Sequence, residues 1–149
     1  MIVIHGERNS GKSSKVFNLI DKSKKTLYFA LDFDKRIKSI ELKNKNIQVT
    51  AFPNKSTHLD DLEYEILNHG GLLNNNLSYV VIDPINFLKY DKKNLFNFLL
   101  ELLELEKEYN KFQLIVVINT LHHFDISDKL LKFKGITFIR SEKRRIIKV

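Results

Sequence analysis

Ile2-Val3-Ile4-His5-Gly6-Glu7-Arg8-Asn9-Ser10-Gly11-Lys12-Ser13-Ser14 begins apolar and ends on two hydroxyls. Gly6 to Ser13 match the phosphate-loop pattern G-x-x-x-x-G-K-[ST] without deviation. The flanks are those the pattern requires. An apolar, strand-like run precedes it, and Lys12 to Ile20 follows with Val16, Phe17, Leu19 and Ile20 at apolar helical positions.

The residue types follow from the chemistry of holding phosphate. Gly6 and Gly11 permit backbone torsions that a side chain would forbid. Successive N–H groups can then point inward as an anion nest. A helix N-terminus at Lys12 adds its positive dipole end. Lys12 reaches β- and γ-phosphate oxygens, Ser13 offers a hydroxyl to Mg²⁺, and Ser14 lies by the α-phosphate. The expected binding set is Gly6, Glu7, Arg8, Asn9, Ser10, Gly11, Lys12, Ser13 and Ser14. The implied ligand is a nucleoside triphosphate, ATP first, with Mg²⁺. The competing reading is a decayed loop, against which every required residue counts.

The 149 residues suit one domain, expected over 1–149, and 43% of them are apolar, including 11 Phe. There is no cysteine, which excludes disulfides, thiolate metal sites and cysteine nucleophiles. No signal-peptide pattern and no apolar run near ~20 residues is present, so a cytoplasmic protein with no membrane partner is expected. The net charge of +7 favours polyanions, nucleic acid first; a lysine-rich surface that confers solubility is the other reading.

Apolar runs alternate with amphipathic stretches. Strands are expected at Ile2–Ile4, Leu27–Leu31, Ile47–Phe52, Tyr79–Ile82 and Phe112–Ile118. Helices are expected at Lys12–Ile20, Asp34–Leu42, Leu59–Asn68, Lys92–Tyr109 (N-capped by Asp91) and Ser127–Phe133. Ile136–Ile139 and Arg144–Val149 flank Ser141-Glu142-Lys143 and read as a hairpin adding antiparallel strands to one edge. The fold class is α/β, with a mostly parallel sheet covered on both faces. Leu95, Phe96, Phe98, Leu99, Leu100, Leu102, Leu103 and Leu105 cover more than one face of the longest helix. That implies deep burial or a subunit contact.

Tyr79-Val80-Val81-Ile82-Asp83 is an apolar strand ending in an acid. Placed beside the phosphate strand, Asp83 can hold Mg²⁺ through a water or hydroxyl, the Walker B pattern. The alternative is a cap before Pro84.

With these motifs, Tyr28–Asp32 and Val116–Thr120, the chain resembles the RecA-like ATPases, particularly the archaeal RadA/RadB and KaiC branch. The resemblance implies a three-layer RecA-like P-loop fold. In that family a Glu after the second strand activates the attacking water. The matching position here is Asp32, with Asp34 as second choice. The shorter side chain implies slow or partner-dependent hydrolysis, and capping of the next helix is the competing role. Asn119 and Thr120 match a polar γ-phosphate sensor or a strand-end cap. The implied catalytic set is Lys12, Asp32 and Asp83; Ser13 and Asp83 serve the metal, and Asn119 joins the nucleotide set.

The family's DNA-contacting loops map to Pro84–Lys93 and Leu121–Gly135. The second holds His122, His123, Lys129, Lys132 and Lys134, with Phe124 and Phe133. Those residues suit single-stranded nucleic acid, or equally an amphipathic surface helix. Arg140, Lys143, Arg144 and Arg145 read as a basic hairpin reaching a neighbour's γ-phosphate in an oligomer, or as a protected sheet edge. The resemblance covers the chain as a bare ATPase core, without the N-terminal domain and polymerisation segment of true recombinases. It implies a recombinase paralog or accessory factor in DNA recombination or repair. Its partners would be single- or double-stranded DNA and a recombinase or further copies of itself. Two alternatives stand. A small nucleotide kinase would need an Arg-rich lid, and Leu121–Gly135 contains no arginine. A non-catalytic nucleotide-binding regulatory module is the other.

Overall fold

Neighbouring residues of the apolar runs face opposite ways, and both sides are dry. The computed structural model describes residues 1–8, 10–30, 44–50, 59–70, 77–85, 95–120 and 133–142. Their elements are β1 (Ile2–Gly6), α1 (Lys12–Leu19), β2 (Lys25–Ala30), β3 (Ile47–Thr50), α2 (Leu59–Gly70), β4 (Leu77–Asp83), α3 (Leu95–Tyr109), β5 (Gln113–Asn119) and β6 (Thr137–Ser141). The strands form one six-stranded sheet in the order β3-β2-β4-β5-β1-β6, with every pairing parallel.

Side chains alternate across a pleated strand, so a sheet with helices on both faces needs apolar residues at consecutive positions. On β5, Leu114, Val116 and Ile118 enter one core, and Ile115 and Val117 the other. On β2, Leu27 and Phe29 oppose Tyr28 and Ala30 in the same way. The first core also receives Leu62 and Ile66 of α2 and the apolar face of α3. The second receives Val16 of α1 and Ile20 just beyond its end. The result is the expected three-layer α/β arrangement.

The greasy stretch of α3 is explained within the chain. Leu95, Phe98, Leu99, Leu102, Leu103 and Leu105 are all buried in the first core. Polar contacts tie this helix to its neighbours. The Glu106 carboxylate accepts the Leu114 N–H at 2.7 Å and the Met1 amino group at 2.8 Å. Tyr109 donates its hydroxyl to Glu63 of α2 at 2.6 Å. That hydrogen bond, ahead of burial, pushes the Tyr109 pKa up to about 12. Asn110, in the left-handed region at φ 48°, ends the helix where the short Asx side chain tolerates that conformation.

Two expectations are corrected. The C-terminal strand lies at the sheet edge, but it runs parallel to β1, with Ile2 opposite Thr137 and Gly6 opposite Ser141. A parallel strand beside β1 needs a crossover connection of about a dozen residues or more, and the stretch between Asn119 and Thr137 is long enough to supply one. Ser141 is also not a turn residue: it is the last residue of β6 and buried. Arg144–Val149, the Asp34–Leu42 helix, Asp91 and most of Ser127–Phe133 lie outside the described residues. No described helix is long and apolar enough to cross a membrane.

Leu102 is fully buried where α3 meets the sheet. Leu102→Ala is expected to cost about 2–5 kcal/mol through lost transfer energy and the cavity left behind. Urea unfolding checks this, and a shift below about 1 kcal/mol would contradict the packing described.

Candidate functional site

In a parallel sheet all strands deliver their last residues to the same edge, and ligand crevices form there. Gly6 ends β1 level with Asn119 of β5 and Ser141 of β6. Asp83 ends β4 level with Ala30 of β2. The loop that leaves Gly6 turns over this edge, with the Ser10 N–H donating to the Glu7 carbonyl at 3.2 Å.

Both glycines are required. A Cβ on residue 6 would lie 2.2 Å from the Ser141 carbonyl oxygen and 2.9 Å from Ser10 Oγ. Gly11 caps α1 at φ 85°, where an L side chain is strained. No side chain caps the helix and its first turn carries no acid. Its leading N–H groups thus keep the positive end of the dipole without a neutralising partner from a capping side chain.

Lys12, in the first turn, is buried at 6% exposure. Its ammonium folds back over the loop, donating to the Glu7 carbonyl and to Ser10 Oγ at 3.4 Å. The next residue, Ser13, donates its hydroxyl to Asp83 Oδ2 at 2.7 Å. The same Oδ2 accepts the hydroxyl of Tyr28. Asp83 is buried, and Ser14 is exposed. Asn119 is half-buried beside Gly6, whose carbonyl accepts the Thr120 N–H at 2.8 Å. Glu7 is half-buried and Arg8 exposed.

The structure therefore brings together Gly6, Ser10, Gly11, Lys12, Ser13, Asp83 and Asn119. One detail differs from expectation. Asp83 is not on the strand next to β1, because β5 lies between β1 and β4. The reach of α1 across the sheet edge, not strand adjacency, joins Ser13 to Asp83. Asn9, Asp32, Asp34, His122, His123, Phe124, Lys129, Lys132, Lys143, Arg144 and Arg145 lie outside the described residues. Phe133 packs on the first core, so its ring serves the fold. Arg140 is exposed on β6 and pairs with exposed Glu142 at 3.4 Å, a contact of little energetic weight in water.

Two residues of the site were not anticipated. Tyr28 sits in a strand otherwise read as apolar; its phenol was the available signal, since a buried hydroxyl needs a partner. Ser141, buried, donates to the Ser10 carbonyl at 2.5 Å. Nothing in its local sequence separates it from a hairpin serine. Lys15 adds a second tie between α1 and β6, donating to the Arg140 carbonyl at 2.9 Å. His5 stands one residue before the loop, level with Arg140 and edge-on to Phe138 at 6.3 Å.

No protein-family model and no curated protein sequence matches this chain. Among solved structures it is similar to a KaiC-like protein from the hyperthermophilic archaeon Pyrococcus horikoshii. The TM-score is 0.59 at 15% identity, over 93% of this chain and 70% of that one. The likeness is one of fold: a RecA-like, KaiC-type arrangement.

Burial, then the Arg140 charge, lowers the His5 pKa below its ordinary 6.5. The folded state resists a proton that the unfolded chain accepts. This contribution to stability is complete above about pH 6.5 and is lost as pH falls through the lowered folded value. His5→Gln should therefore flatten the loss of thermal stability between neutral and mildly acidic pH. Melting curves across that range check this; parallel profiles for both proteins would exclude it.

Proposed function

We propose that the chain binds ATP with Mg²⁺ at Gly6–Ser13 and works as a RecA-like ATPase core. One observation carries the reading: an uncapped helix start places Lys12 over the loop and Ser13 against Asp83 at 2.7 Å. The donor set suits the metal. A hydroxyl and a carboxylate are hard oxygen ligands, and Mg²⁺ is commonly held by one or two such groups together with substrate phosphates. When bound there, Mg²⁺ would supply positive charge to offset that of the phosphates.

The chain's own residues supply the rest. The loop N–H groups and the start of α1 receive the phosphates. Lys12 exchanges the Glu7 carbonyl for phosphate oxygens, which are stronger acceptors. Ser13 and Asp83 would hold the metal side, with Asp83 ordering its water shell. Asn119, which ends β5 level with Gly6, takes the role of a polar sensor of the terminal phosphate. Asp32, with Asp34 as second choice, takes the proton of a water that attacks the γ-phosphorus as the β–γ bridge breaks. Aspartate in place of glutamate favours slow or partner-dependent turnover.

The finer reading is a recombinase paralog or accessory factor in DNA recombination or repair. The net charge of +7 supports a polyanionic partner. Arg140, exposed at the sheet edge, is available to a neighbouring subunit or a recombinase partner.

Lys12→Ala is expected to weaken binding of labelled ATP about 10- to 100-fold, the loss of one or two charge-assisted hydrogen bonds. Unchanged affinity in a folded variant would refute the phosphate-loop reading. The nucleic-acid component predicts that labelled single-stranded DNA is retarded at low salt, with affinity dropping steeply as salt rises. No retardation at low salt would remove that component and leave ATP binding intact.

A further inference from the structure

Tyr28 is fully buried in a strand whose neighbours, Leu27 and Phe29, face the opposite core. A phenylalanine would fill the same space without the cost of taking a hydroxyl out of water. The hydroxyl is used on Asp83 Oδ2, the oxygen that also accepts Ser13 Oγ. The tyrosine ring is itself fixed: Phe17 of α1 stacks on it with centroids 5.5 Å apart and planes 10° from parallel. Ser13 and Phe17 are four residues apart and so share one face of α1. That face thus meets the Tyr28–Asp83 pair twice, once through a hydroxyl and once through a ring.

We propose that Tyr28 is a positioning residue for the cation side of the site, holding Asp83 so that Ser13 presents its lone pairs outward. A serine hydroxyl has one hydrogen and two lone pairs. While its hydrogen goes to Asp83, the lone pairs are left to face a cation. The orientation of Ser13 therefore depends on where Asp83 Oδ2 is held, and Tyr28 is the second donor that holds it. The Phe17 stack keeps the phenol from swinging away. The device acts at a distance of one hydrogen bond from the candidate ligands, where loss of an orienting partner typically costs 10–100-fold in metal affinity.

The inference rests on the proposed ATP–Mg²⁺ reading, and one titration separates the two. Binding of a fluorescent ATP analogue is measured without divalent metal and then against increasing Mg²⁺, in wild type, Tyr28→Phe and Phe17→Leu. Tyr28→Phe is expected to leave metal-free nucleotide affinity unchanged and to raise the Mg²⁺ midpoint ~10-fold or more. Phe17→Leu, which loosens the ring but keeps the hydroxyl, is expected to shift the midpoint less, in the same direction. A merely structural role for Tyr28 would weaken both affinities together, and that result would overturn the proposal. So would an unmoved midpoint in both variants while wild type binds with Mg²⁺. If Tyr28→Phe does not fold, Phe17→Leu decides alone: a shifted midpoint at unchanged metal-free affinity supports the proposal, and an unmoved one overturns it. Failure of wild type to bind the analogue would instead overturn the underlying reading, and the inference with it.

Discussion

No side chain fits at residue 6. β1 ends there between β5 and β6, and the Ser141 carbonyl occupies the space a Cβ would need. This close approach sets the height at which the loop leaves the sheet. Everything above it follows: the turn through Ser10, the left-handed Gly11, the start of α1 and the fold-back of Lys12. Ser141 acts on both sides of this point, with its carbonyl against Gly6 and its hydroxyl on the Ser10 carbonyl. The loop is thus braced by an edge strand far away in sequence, and not only by the strand and helix that flank it.

The second constraint is the dryness of both sheet faces. Strands that alternate between two apolar cores leave few polar groups between their ends. At the carboxyl edge those ends are Gly6, Asp83, Asn119 and Ser141. Tyr28 is an exception that a pleat permits, since its ring lies in the core while its hydroxyl reaches the edge. The chemistry of the site is therefore concentrated where the fold must expose backbone and polar side chains in any case.

Much of this was legible in the chain. The loop from Gly6 to Ser13 demands specific residue types at specific spacing, and the runs around Val80 and Val116 are too continuously apolar for a half-exposed strand. The burial of α3 followed from its excess of leucines. What was hidden has a physical reason in each case. The parallel course of β6 is decided by pairing with β1, which no local pattern encodes. The separation of β4 from β1 by β5 is likewise a property of strand order. Ser141 and Tyr28 act through contacts with distant residues, and each has a local reading, turn or core, that satisfies its own neighbourhood.

The neighbours of β1 also bear on how the molecule is made. Ile2 pairs with Ile115 on one side and with Thr137 on the other. During synthesis the phosphate strand emerges before either of its sheet partners. Pairings of such long sequence separation form slowly, because the intervening chain must be ordered first. Meanwhile Lys25–Ala30, Ile47–Thr50 and Leu77–Asp83 can assemble as a contiguous three-stranded block. The binding loop thus leaves the ribosome ahead of the strands that brace it, so a nascent chain cut short before β5 and β6 presents the motif without the site.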